Sequence, residues 1–252
     1  MTDVQFHEMP DGRRIAYRFT KGAGPLIVFL PGYMSDMDGG KATALFDWAQ
    51  AEGRAMLLLD YSGCGRSEGA FADGSLSLWR EEVLALIEHV APEAQVILVG
   101  SSMGGWLMLL VALALPTQRL AGMVGIAAAP DFTDWGYPEA LKSELRAARM
   151  VTEPNPYGPE PTPTYAKFWN DGEDQKLLGG PIALACPARL IQGQRDTDVP
   201  WDVALKLAGA LQSDDVLVHL VKNGDHRLSR PQDIALLKQV VGDLAASMHR
   251  DD

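Results

Sequence analysis

A short apolar run, Val96-Ile97-Leu98-Val99, stops at Gly100-Ser101-Ser102-Met103-Gly104-Gly105 and leads directly into Trp106-Leu107-Met108-Leu109-Leu110-Val111. The first run reads as a buried strand and the second as a helix, so the glycine-rich join is a sharp strand-to-helix turn. Its residues fit G-x-S-x-G, the pattern in which a strained backbone lifts a serine hydroxyl clear of the top of a sheet. Ser102 is the serine framed by glycines. Centring the pattern on Ser101 would put Val99 and Met103 where residues without side chains are needed. Gly104 and Gly105 let the helix start close to the strand, and the Met103 N–H then opens that helix, where an anion is stabilised. The turn supplies a candidate nucleophile and one candidate oxyanion donor.

Further apolar runs surround it. Arg13 to Phe19 alternates as a half-exposed strand does, at an expected antiparallel edge, and Leu26 to Leu30 and Met56 to Leu59 are continuous enough for central strands. Helices are expected from about Lys41 to Gln50 and along the face marked by Trp79, Val83, Ile87 and Val90. Gly122 to Ala128, Ala188 to Ile191 and Val216 to Val221 read as strands, about Trp201 to Leu211 and Ile234 to Met248 as helices. This alternation predicts an α/β fold: a mainly parallel sheet with helices on both faces and its site at the carboxyl ends of the strands. With 252 residues, 47% of them hydrophobic, the chain can bury one full core, so residues 1–252 are expected to form a single domain.

Residues 131–180 interrupt the pattern and are expected to form an inserted lid. Six of the sixteen prolines fall here, as do seven of the nineteen aromatics: Phe132, Trp135, Tyr137, Tyr157, Tyr165, Phe168 and Trp169. An insertion after a strand's carboxyl end hangs over the site, where such aromatics either line an apolar substrate pocket or pack the lid onto the sheet. Glu139 to Arg149, with Leu141, Leu145 and Ala148 on one face, is the expected lid helix.

A formal net charge of −11 argues against a nucleic-acid surface or an anionic membrane, and no run is long enough to span a bilayer. The two cysteines, Cys64 and Cys186, are far apart without metal-like spacing, as expected for free thiols in a reducing compartment. Met1 to Arg18 lacks a signal or transit composition, so a cytoplasmic location is expected.

Serine hydrolases on such sheets carry nucleophile, acid and base in that chain order. Of the five histidines, His7 is expected before the sheet, His89 late in a helix, His219 mid-strand and His249 in the tail; only His226 follows a strand's carboxyl end. Asp196 and Asp198 compete as the acid. Asp196 is favoured because it sits closer to the strand end, whereas Asp198 could serve as an N-cap or a solvated turn residue.

The motifs taken together resemble the α/β-hydrolase family over nearly the whole chain: the Ser102 turn, Asp60-x-x-Gly63-x-Gly65-x-Ser67, and Gly193 to Asp196 followed by Val199-Pro200. Leu30-Pro31-Gly32-Tyr33, Asp60-Tyr61-Ser62-Gly63, Val199-Pro200-Trp201 and Asp225-His226-Arg227 are most similar to the branch of mitochondrial palmitoyl-protein thioesterases that also hydrolyse acyl glucuronides, with its bacterial relatives. The resemblance implies a Ser102, Asp196 and His226 triad and oxyanion donation from the Met103 and Tyr33 N–H groups. Pro31 and Gln192 depart from the wider family, many of whose members carry the histidine of a His-Gly pair there. The implied activity is hydrolysis of esters or S-acyl thioesters with an apolar acyl group, depalmitoylation included, through an acyl-enzyme and with no metal or other cofactor. The expected partners are a small-molecule ester or an S-acylated protein, with no nucleic acid and no stable membrane insertion. A serine peptidase of the same fold and a non-catalytic hydrolase-fold binding protein are the alternatives.

Overall fold

The computed structural model describes residues 3–155 and 158–247. The chain begins with β1 (Gln5–Glu8), β2 (Arg14–Thr20) and β3 (Ala23–Leu30). It then alternates through α1 (Gly40–Ala51), β4 (Arg54–Leu59), α2 (Leu76–Val90), β5 (Val96–Ser101), α3 (Met103–Ala114) and β6 (Leu120–Ile126). An excursion follows, made of α4 (Phe132–Trp135), α5 (Glu139–Ala147), β7 (Met150–Glu153), β8 (Thr162–Tyr165) and α6 (Ala166–Asp174). Alternation resumes with β9 (Ala188–Gly193), α7 (Asp202–Ala210), β10 (Val216–Val221) and α8 (Pro231–Ser247).

Eight strands form one sheet in the order β1-β2-β4-β3-β5-β6-β9-β10. β1 and β2 run antiparallel to their neighbours, and the other pairs are parallel. The chain builds outward from β3 to β4, then crosses back to place β5 on the other side. That reversal opens a crevice between the carboxyl ends of β3 and β5, where sheets of this kind bind ligands.

Strand side chains alternate between the two faces. Leu26, Val28, Leu30, Leu57, Leu59, Val96 and Leu98 join the core beneath α2, α3 and α7. Ile27, Phe29, Met56, Leu58, Ile97 and Val99 join the core beneath α1 and α8. Burial on both faces is why these strands are continuous apolar runs. α3 is enclosed in the same way, with every residue from Met103 to Ala112 buried, and so shows no amphipathic period.

Several expectations need correction. β2 is not the edge of the sheet, because β1 pairs outside it, and His7 therefore lies within the sheet rather than before it. β1 is four residues long with Phe6 its single large apolar side chain, too little for a period to register. Asp198 does not cap α7, whose N-cap is Trp201 with no side-chain cap. The excursion also holds more than one helix: β7 and β8 pair antiparallel, and α6 packs behind them. Pro163 inside β8 conceals that strand from pattern reading, since proline is tolerated only where no ladder N–H is required. α5 ends two residues before the expected Arg149, at an extended Ala148 that leads into β7. Tyr157, His249 and the expected helix end at Met248 lie outside the described residues.

Candidate active site

Ser102 joins β5 to α3 with φ 55° and ψ −121°, a conformation that L-residues rarely adopt. Glycine is required around it by close approach. A Cβ on Gly104 would lie 2.1 Å from the Leu30 carbonyl oxygen, and one on Gly100 would lie 2.3 Å from that of Gly104. The turn is pinned to β6 and the segment after it: the Ser102 N–H donates to the Ile126 carbonyl at 2.9 Å, and the Ser102 carbonyl accepts from Ala129 N–H at 3.1 Å. Ser101 is the last residue of β5 and is buried.

The next two parallel strands bring up the remaining groups. β9 ends in the loop that carries Asp196, and β10 ends in the loop that carries His226. The loops touch through backbone: Gly193 has no room for a Cβ beside the Gly224 carbonyl, and the Arg195 N–H donates to that carbonyl at 2.8 Å. His226 then bridges the serine and the acid. Its Nε2 is 3.1 Å from Ser102 Oγ, and its Nδ1 is 2.9 Å from Asp196 Oδ2.

The Asp196 side chain has no exposed surface. Its Oδ1 accepts the backbone N–H groups of Asp198 and Val199 at 2.9 and 2.8 Å, and its Oδ2 accepts Gln192 Nε2 at 3.0 Å beside His226. Burial pushes its pKa up, but the hydrogen bond and charge of His226 and the two backbone donors outweigh burial and hold it below the usual carboxylate range. The competing Asp198 is about one-third exposed and lies across the imidazole, its Oδ2 3.9 Å from Nε2. Of the two acids, Asp196 is the one at Nδ1.

The loop after β3 passes against the serine; a Cβ on Gly32 would stand 3.4 Å from Ser102 Cβ. Among the described residues, neither the Tyr33 nor the Met103 N–H donates to a protein acceptor, which leaves both available to an oxyanion. The Tyr33 hydroxyl donates to the Pro163 carbonyl at 2.9 Å, so β8 is tied to this loop. The Tyr33 ring packs with Phe71, Trp79, Phe132 and Phe168 at centroid separations of 4.8–6.5 Å. Phe168 and Trp169 are both buried: Phe168 joins the core beneath α2 and α3 and so packs the excursion onto the sheet, whereas Trp169 packs against Leu145 and Val151 inside the excursion.

Sequence reasoning missed several supports. Asp60, the first residue of the motif noted above, is buried and joins two loops, its Oδ1 accepting Met37 N–H at 2.7 Å and its Oδ2 Arg66 N–H at 2.8 Å. The Tyr61 hydroxyl donates to the Pro31 carbonyl at 3.1 Å, and Lys41 Nζ donates to the Arg227 carbonyl behind His226. Asp131 clamps the two ends of the excursion together, accepting the N–H groups of Leu177 and Leu178 at 2.8 and 2.7 Å. Gln192 was visible only as a departure from a family pattern, whereas in the structure it holds the acid. Among the described residues, no group of three or more His, Cys, Asp or Glu side chains is arranged to hold a metal ion.

Comparison with known proteins agrees with this architecture. Human mitochondrial palmitoyl-protein thioesterase ABHD10 is 38% identical over 247 residues, covering 96% of this chain and 80% of the human one. The chain belongs to the α/β-hydrolase family that includes ABHD10. A family model described as serine aminopeptidase, S33 matches residues 23–158 of this hydrolase. The solved structure of mouse α/β hydrolase domain-containing protein 10 superimposes with a TM-score of 0.90 at 37% identity, over 98% of this hydrolase and 100% of the mouse chain. Est1E from Butyrivibrio proteoclasticus, solved with ferulic acid, shares the fold at 16% identity and a TM-score of 0.80, over 96% and 98% of the two chains.

Proposed function

We propose that this hydrolase is a serine acyl hydrolase that cleaves carboxylic esters and S-acyl thioesters with an apolar acyl group. The observation that carries the reading is the unbroken line from Ser102 Oγ through the His226 ring to Asp196, with contacts of 3.1 and 2.9 Å. His226 takes the Ser102 proton as oxygen attacks the acyl carbon. Asp196 can only accept, so it holds the neutral ring with its proton on Nδ1 and stabilises the cation that forms. The Met103 and Tyr33 N–H groups receive the oxyanion. Collapse expels the leaving group and leaves an acyl-serine, which water clears by the same steps. Thiolates and activated alkoxides leave with little protonation help, which suits thioester and ester substrates.

The relatives' activity supports a thioester, and the half-buried rings of Tyr33, Phe71 and Phe132 support an apolar acyl group, with residues 131–180 acting as lid to the single domain. Two free thiols accord with a reducing, cytoplasmic setting. Among the described residues, no helix is long and apolar enough to cross a membrane. Rates on acyl esters and thioesters of two to sixteen carbons test the reading. A buried methylene contributes up to about 0.8 kcal/mol, so a several-fold gain per carbon is expected over the first few carbons. A preference that peaks at acetyl and falls with length would refute the apolar-acyl assignment.

The aminopeptidase description of the matching family model favours a peptidase as the second reading. An aminoacyl amide assayed beside the esters separates the two, since amide cleavage as fast as ester cleavage would replace the first reading with the second.

A further inference from the structure

Two carboxylates flank the His226 ring, and the reaction above uses one. Asp196 lies on Nδ1, fully enclosed and with four hydrogen-bond donors around it. Asp198 comes from the same loop but reaches the other edge, 3.9 Å from Nε2. That nitrogen also faces Ser102 Oγ at 3.1 Å. Capping does not account for the position of Asp198, because α7 has no side-chain cap.

We propose that Asp198 sets the charge preference of the leaving-group side, disfavouring substrates with an anion next to the scissile bond and favouring neutral or cationic leaving groups. The inference rests on the serine-hydrolase reading. In that reaction the bond from the acyl carbon to the leaving sulfur or oxygen breaks as the carbonyl of the Ser102 acyl ester reforms, and the leaving atom takes the Nε2 proton, which returns His226 to the neutral base that the next step needs. The leaving atom must therefore come within hydrogen-bonding reach of Nε2, roughly 3 Å. A group one or two bonds beyond it lies within several ångströms of the Asp198 carboxylate. At that range, near a partly solvated surface, like charges repel enough to change rates by roughly threefold to tenfold.

Arg195 and Arg227 are exposed on the same two loops, and Lys41 lies behind Arg227. The loop charges are thus mixed, and the preference belongs to the carboxylate nearest Nε2. It is also separable from the overall charge of −11, which acts equally on a distant substitution.

The test compares kcat/KM for three S-butyryl thioesters: butyrylthiocholine (cationic), the N-acetylcysteamine thioester (neutral) and the thioglycolate thioester (anionic). Each is measured on the wild-type protein, Asp198→Asn, and Asp214→Asn, which removes one charge at the amino end of β10. Comparing ratios between proteins cancels the intrinsic reactivity of the esters. The expected result is a cation-over-anion ratio that falls roughly threefold to tenfold in Asp198→Asn and stays within twofold in Asp214→Asn. Any change in the neutral thioester reports the charge lost beside the His226 ring and cancels in the ratio, and 1 M salt should compress the wild-type ratio more than that of Asp198→Asn. A purely structural role for Asp198 would lower all three rates together and leave the ratio in place. With Ser102→Ala inactive, a ratio in Asp198→Asn within twofold of wild type overturns the proposal alone. Turnover surviving in Ser102→Ala removes the reading of the site, and the proposal with it.

Discussion

Replacing Asp196 by asparagine changes one atom, yet the proposed mechanism predicts a large loss of activity from it. The two backbone N–H groups on Oδ1, from Asp198 and Val199, cannot reverse their polarity, so the asparagine oxygen must take that side. Its NH2 group then replaces Oδ2, facing Gln192 and His226. Gln192 can offer its partnerless Oε1 to that group only by turning Nε2 away from the Gly193 and Val199 carbonyls, to which it also donates at 3.3 Å, and this is part of the cost in stability. His226 can adapt only by accepting at Nδ1, which moves the ring proton to Nε2 and points an N–H at Ser102 Oγ. A base already protonated toward its nucleophile cannot take the serine proton. The expected fall in kcat is about 10⁴-fold, equivalent to roughly 5 kcal/mol of barrier, with little change in KM. The fold should lose only ~2 kcal/mol, the scale of weakened hydrogen bonds to a charged group, and melt about 4–8 °C lower. Below pH ~4 this gap in melting temperature should narrow. The Asp196 carboxylate is held below its ordinary pKa, so its contribution is present above the unfolded value of about 3.9 and is lost as pH falls through the folded one. Steady-state kinetics on a butyrate ester together with thermal melts from pH 3 to 8 give all of these quantities. An Asp196→Asn enzyme within tenfold of wild type, or one more active than Asp198→Asn, would refute the argument and transfer the acid's role.

Ser102→Ala should lose on the order of 10⁶-fold in ester hydrolysis while melting like wild type, whereas Ser101→Ala keeps most of its activity; similar rates in the two variants would overturn the choice of nucleophile. Asp131→Ala strips the acceptor from two N–H groups that tie off the excursion and should destabilise by about 2–4 kcal/mol, read as a shift in denaturant midpoint. Burial pushes the thiols of Cys64 and Cys186 up to about 12 and about 11, so alkylation by iodoacetamide at pH 7.5 should be slow in the native protein and fast after denaturation. Rapid labelling of folded protein would show that these sites open far more easily than their packing implies.

The parts of this protein determined by its sequence are those set by local rules. Strands buried on both faces must be apolar throughout, and a serine lifted on a turn between strand and helix needs glycines where the two backbones touch, so β3 to β6 and Ser102 could be read residue by residue. That His226 and the favoured Asp196 would meet beside Ser102 was legible because a parallel sheet gathers the loops at the strands' carboxyl ends. What only tertiary structure decided are contacts between segments far apart in the chain, which leave no periodic trace. Nothing local marks Gln192 as the donor to Asp196, Asp60 as the brace between two loops, or Tyr33 as the link to Pro163. β1 and β8 escaped for a related reason: short strands with polar or proline residues are held by their partners' hydrogen bonds rather than by a burial pattern of their own. The same limit applied to the two acids. Asp196 and Asp198 are two residues apart in one turn, and which of them meets Nδ1 and which faces Nε2 is set by where β10 delivers the histidine.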